Sequence, residues 1–118
     1  MKRLFTVMVL LALAVTDGSF ASNFLFLESA PIKNFTEADM EMFSAAVSDA
    51  LDNSEDGDIT AWRNPETNAS GRLKPLKTYQ AHGTTCRRLQ IANKAGSLKS
   101  NVAFNFCKQP DNSWQVTN

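Results

Sequence analysis

Very little in this chain is available for catalytic or metal chemistry: among 118 residues there are one histidine, one tyrosine, two cysteines and five glycines. Hydrolysis needs titratable groups converging in a pocket. Here the acidic residues gather along one helical segment and the turn after it, and His82 sits apart in "AHGTTC". A thiol nucleophile at Cys86 with His82 as its base lacks the third group that would orient the base. No catalytic residue, cofactor or metal is therefore expected. Net charge is missing as well. With 12 basic and 12 acidic side chains, nothing in the sum draws the chain towards nucleic acid or an anionic membrane surface. Internal repeats and low-complexity tails are also absent.

No apolar run is long enough to span a bilayer as a helix, which takes about 20 residues. The longest, "LFTVMVLLALAV" at residues 4–15, follows Lys2 and Arg3 and stops at Asp17 and Gly18. Ser19 and Ala21 then supply the small residues of a cleavage site before Ser22. This is the pattern of a signal peptide over residues 1–21, and it predicts an exported mature chain with no transmembrane segment. In an oxidising compartment two cysteines pair by default, so Cys86 and Cys107 are expected to form a disulfide. Closing a loop of 107 − 86 = 21 residues is worth about 3 kcal/mol in the chain-entropy model.

After an N-terminal arm at residues 22–34, readable as a short edge strand or as plain arm, one helix is well marked. Thr36 is an N-cap with Asp39 at the third helical position, and Phe35 and Met40 occupy the two places of a hydrophobic staple. Met40, Phe43, Ala46, Val47, Ala50 and Leu51 then recur at helical spacing. The stretch "DNSEDGDITAWR" that follows imitates the start of a calcium loop, with Asp52, Ser54, Asp56 and Gly57 at matching places. Its twelfth residue is Arg63 where a bidentate Glu is required, and Ile59, Thr60 and Trp62 favour a strand. It reads as a polar turn from helix to strand, with Gly57 free to adopt positive φ.

The remainder alternates in strand fashion. "DITAWRN" and "RLKPLKTY" flank the turn-rich "PETNASG", and Pro75 marks the second of these strands as edge or bulged. "TTCRRLQIAN" and "LKSNVAFNFCK" form two half-buried antiparallel strands, and "QPDNS" turns into a short closing strand "WQVT". If Leu89, Ile91, Val102, Phe104 and Phe106 face the helix, alternation puts Cys86 and Cys107 together on the opposite face. A tight turn at Ala95 and Gly96 would set Cys86 against Asn105, so a bulge is expected to bring it to Cys107. The predicted fold of residues 35–118 is α+β: one N-terminal helix packed on a small antiparallel β-sheet of four to five strands, with one disulfide.

Several of these residues recur in order in a known family. Trp62 with Asn64 and Pro65, Gly71, Tyr79, the pair Cys86 and Arg87, and Cys107 leading into Gln109, Pro110, Asp111 and Trp114 resemble the C-terminal domain of the bacterial 17 kDa surface antigens, known from rickettsial outer-membrane lipoproteins. The likeness runs from about Ala45 to Val116. It implies a cell-envelope location, and the family brings no settled enzymatic activity. Typical members carry a lipobox cysteine and a glycine-rich segment ahead of this domain, and neither is found in this sequence, so outer-membrane anchoring is not among the expectations the resemblance brings, while the expected location stays the periplasm or the cell surface and outer membrane.

Two functions fit. The first is a periplasmic or surface binding module for another envelope component, whether protein, peptidoglycan or outer membrane. Trp62, Tyr79, Arg87, Arg88 and Trp114 are its expected recognition surface, because aromatics and Arg dominate such surfaces. The second is a small inhibitor of an exported hydrolase such as a lysozyme, with "PETNASG" or "AHGTTC" plugging the cleft.

Overall fold

The structure is a computed structural model that describes residues 30–117; residues 1–21, expected to form a signal peptide, and the first part of the expected arm, residues 22–29, lie outside the described residues. Within the arm, Ala30–Lys33 makes one helical turn, α1, which meets the middle of the sheet. Pro31 is fully buried there.

The main helix, α2, spans Glu37–Asn53 and begins where the local signals place it. The Thr36 side chain accepts from the Asp39 backbone N–H at 3.1 Å, and the Asp39 carboxylate accepts from the Thr36 backbone N–H at 2.9 Å. This capping box satisfies two of the amides that a helix start leaves unpaired. Five strands follow: β1 (Thr60–Arg63), β2 (Ser70–Ala81), β3 (Thr84–Ala95), β4 (Leu98–Lys108) and β5 (Trp114–Thr117). They pair in chain order as one antiparallel sheet. Phe43, Val47, Ala50 and Leu51 of α2 share one buried cluster with Trp62, Leu73, Leu89, Ile91 and Phe106 of the sheet.

Turn chemistry sets the register. His82 and Gly83, both at positive φ, close the β2–β3 hairpin in two residues, the backbone that two-residue hairpins favour. The β3–β4 turn is Gly96–Ser97, one residue later than the sequence suggests. Ala95 therefore pairs with Leu98, and the unbroken register carries Cys86 directly opposite Cys107. The bulge expected between those strands is unnecessary: the register shift lies instead in β2, between Pro75 and Lys77. β1 pairs only with Ser70–Leu73, so β2 is an edge from there onward and tolerates the missing Pro75 donor. The Pro75 carbonyl still accepts from Gly57 N–H at 2.7 Å.

Gly71 illustrates why one residue type is needed. A Cβ at this position would collide with Trp62 Nε1 and Asn93 Oδ1. Its absence lets the indole lie across β2, where Phe35 meets the Trp62 ring edge-on at 5.2 Å.

Candidate functional site

The sheet has two chemically different faces, and the residues expected to form one recognition surface divide between them. Trp62, Arg87 and Trp114 stand in the rows that face α2, as their partners Gly71, Phe106 and Lys108 do. Tyr79 and Arg88 stand on the opposite, open face with the disulfide.

On the helix side these residues hold the molecule together. Trp62 is 7% exposed and packs against Phe35 and Phe43. Arg87 is also 7% exposed, and all five of its N–H groups are used. Nε donates to Thr78 Oγ1 at 2.9 Å, Nη1 to the carbonyls of Ala50 and Leu51 at 3.0 and 2.8 Å, and Nη2 to the Ser54 carbonyl and Asp56 Oδ1 at 2.6 and 3.0 Å. The last turn of α2 carries no basic residue, and its carbonyls have a partial negative charge to satisfy. Arg87 reaches across from β3 to do so. Trp114 donates through Nε1 to Asp52 Oδ1 at 2.8 Å, fixing the same helix end to β5. The carboxylates that mimic a calcium loop are thus directed to separate partners: Asp52 to Trp114, and Asp56 to Arg87 and to Thr78, whose backbone N–H and hydroxyl donate at 3.0 and 2.7 Å.

Asp39 is the buried carboxylate that would first attract attention as a catalytic group, and it too is committed. Besides the capping box it accepts from Asn64 Nδ2 and Thr67 Oγ1, each at 2.7 Å, tying the "PETNASG" loop to the start of α2. Burial alone would raise its pKa, but the hydrogen bonds from Thr67, Thr36 and Asn64 outweigh that and hold it below the ordinary carboxylate value. At Asp56 the Thr78 hydroxyl and then Arg87 act in the same direction. Carboxyls with depressed folded pKa values bind protons more readily in the unfolded chain, so their stabilisation is complete above about pH 4–5 and is lost as pH falls towards their folded values. The urea midpoint is therefore expected to be level between about pH 7 and 5 and to drop in acid, with Asp39→Asn flattening that drop. A wild-type midpoint unchanged down to about pH 3 would refute this assignment.

The open face is built differently. Its first row across the strands is Arg63, Ser70, Lys94 and Lys99, and the next is Ala61, Arg72, Ala92 and Asn101. Lys74, Gln90 and Ala103 follow, then Lys77, Arg88 and Asn105, and last Tyr79 beside Cys86 and Cys107. That is seven cationic side chains, and no strand of the sheet contains a single Asp or Glu. Among the described residues the one ion pair is Arg87–Asp56, on the other side. The zero net charge conceals this separation: the described carboxylates lie on α2 and in the turns, and the summed charge is a poor guide to what this surface attracts.

A trough of about 680 Å3 runs across the strands between the first two rows. By alternation its floor is the backbone of Trp62, Gly71, Asn93 and Ser100, and its walls carry Arg63, Lys94 and Lys99 on one side and Arg72 on the other. At the far end of the face Lys77 Nζ lies 5.7 Å from the centre of the Tyr79 ring, and Arg88 Nη1 donates to Asn105 Oδ1 at 3.3 Å. The trough and its cations were not singled out from sequence, although strands rich in Lys and Arg and free of acids were a signal in plain view. Among the described residues no helix is long and apolar enough to cross a membrane.

Comparison with known proteins shows the family. Residues 49–115 match the model of the family described as 17 kDa outer membrane surface antigen. The 17 kDa surface antigens of Rickettsia prowazekii (strain Madrid E), Rickettsia conorii and Rickettsia felis are each 32% identical over 83 residues, covering 70% of this chain and 52% of each relative. The chain thus spans about half the length of the curated relatives it matches. No solved structure matches it. The matched stretch takes in the C-terminal end of α2, the strands through Trp114, the disulfide and the Arg87 cluster, and the chain belongs to the 17 kDa outer membrane surface antigen family.

Proposed function

We propose that the protein is an exported cell-envelope module that binds another envelope component through the open face of its sheet and performs no catalysis. The observation that carries this reading is the concentration of seven cations, with no carboxylate among them, on a face that no described element covers. The family supports the envelope setting, since its description names an outer membrane surface antigen. Tyr79 and Arg88 belong to the binding face, while Trp62, Arg87 and Trp114 hold the sheet and helix that present it.

The test is capture from envelope fractions on the immobilised, oxidised domain, set beside an Arg72→Glu, Lys94→Glu variant with an unchanged melting midpoint. The native domain is expected to retain a component at low salt that the variant loses. Equal retention by both would rule out the open face.

One observation favours an inhibitor as the second reading. The exposed His82–Gly83 turn lies three residues before Cys86, where the disulfide ties β3 to β4, a firmly held turn suited to a cleft. The "PETNASG" loop is less free, being bound to Asp39. Inhibition of a purified lysozyme that is abolished by lengthening the His82–Gly83 turn would favour this second reading over the first.

A further inference from the structure

We propose that the partner of the open face is a bilayer surface of anionic phospholipid headgroups, an inference that rests on the reading of that face as the binding surface. Three features favour a sheet of lipid phosphates over a folded partner or a polymer chain. The first is how the charges are spread. From Lys94 to Arg88 the cations extend six residues along β3, about 20 Å at strand spacing, and from Arg63 to Lys99 they cross four strands, about 14 Å. They do not converge on one point, as they would around a single bound anion, and their spread matches a plane of separate phosphates.

The second feature is what lies between the cations. Ser70, Ala61, Ala92, Ala103, Asn101 and Gln90 are short or polar, so the paired rows hold no large apolar side chain to anchor a protein partner; Leu76, exposed at the β2 bulge beside Lys77, is a single such residue at their margin. Tyr79 is the single aromatic side chain in them, at one end of the face. A face reading bases or a single strand would present several aromatic platforms on which rings could stack. An aromatic ring with a polar tip at the margin of a cationic face suits the headgroup layer instead.

The third feature is orientation. The carboxylates of α2, at Glu37, Glu41, Asp49 and Asp52, belong to the element on the other side of the sheet. A negative surface therefore attracts one side of this molecule and repels the other, which fixes how it lands without any net charge. With Leu76 as a lone apolar side chain at the margin of the cations, binding is chiefly electrostatic, and each Lys or Arg near an anionic membrane contributes about 1 kcal/mol within a Debye length of the surface.

The test is co-sedimentation of the oxidised domain with vesicles made of equal parts phosphatidylglycerol and phosphatidylcholine, set against vesicles of phosphatidylcholine alone. Binding is expected for the anionic vesicles only and should vanish in about 1 M salt, where the Debye length falls to about 3 Å. Lys94→Gln with Lys99→Gln should weaken it roughly 30-fold, the effect of two such cations, with an unchanged melting midpoint; Lys33→Gln, off the face, should leave it as it was. Equal binding to both kinds of vesicle overturns the proposal, as does anionic binding that the double variant keeps in full. If vesicles fail while open-face cations still govern capture from envelope fractions, the lipid is wrong and the binding face stands; if neither depends on those cations, both are wrong.

Discussion

Arg87→Leu is expected to cost about 3–5 kcal/mol of folding stability. A leucine fills part of the space but returns none of the five hydrogen bonds. The Leu51 carbonyl, on a buried residue, loses the donor that reaches it from β3, and a buried acceptor left unpaired costs about 1–3 kcal/mol; the Ala50 carbonyl loses its bond from Arg87 and keeps only the one from the Ser54 N–H at 3.3 Å. Ser54, Asp56 and Thr78 lose theirs as well. Because a native domain is stable by only about 5–15 kcal/mol, this variant should lose a large part of that margin. Arg87→Lys keeps the charge near the helix end but not the planar fork, so it should fall between the two. Urea melts of the three proteins decide the matter. A Leu variant within about 1 kcal/mol of the native protein would mean that the guanidinium is not the cap of α2.

The second large effect is expected on breaking the disulfide. Cys86 and Cys107 are 21 residues apart, and the loop they close holds most of β3, the Gly96–Ser97 turn and nearly all of β4. Removing that constraint lets the unfolded chain expand and should destabilise the fold by about 3 kcal/mol, a fall in melting temperature of roughly 12–24 °C for a domain of this size. Reduction and the double variant Cys86→Ser, Cys107→Ser should agree, since each opens the same loop. Either single variant should resemble the double one, because one remaining thiol closes nothing. Thermal melts with and without reductant, with thiol content measured alongside, give the answer. A fully reduced protein melting at the oxidised temperature would show that the bridge is incidental.

Both effects arise at the C-terminal end of α2 and the neighbouring ends of β3 and β4, and together they explain how a small sheet keeps an exposed charged face. Seven like charges on one side repel one another. Arg87 and Trp114 bind the helix to the inner side, and the disulfide ties the middle strands, so the face is presented by a framework that does not depend on the charges themselves.

The elements legible from sequence are those whose causes lie within a few residues. The capping box at Thr36 and Asp39 is closed between neighbours three apart, so local sequence alone fixes where α2 begins. Alternation in "RRLQIAN" and "NVAFNF" depends on a period of two, and it correctly put both cysteines on one face. The positive φ at Gly57 and Asn112 follows from residue types that tolerate it. Where the cause is a partner far along the chain, sequence is mute. Arg87 looks like any strand arginine until Ala50, Leu51 and Ser54 arrive beside it, and Trp62 looks like a recognition residue until Phe35 and Phe43 cover it. A one-residue choice of turn, Gly96–Ser97 in place of Ala95–Gly96, decided whether the cysteines met directly. The open face is the clearest case. Local chemistry determined which segments are strands and that they carry no acids, but only the pairing of those strands gathered Arg63, Arg72, Lys94 and Lys99 around one trough, because a charge pattern across a sheet is set by register and register is set by contacts distant in sequence.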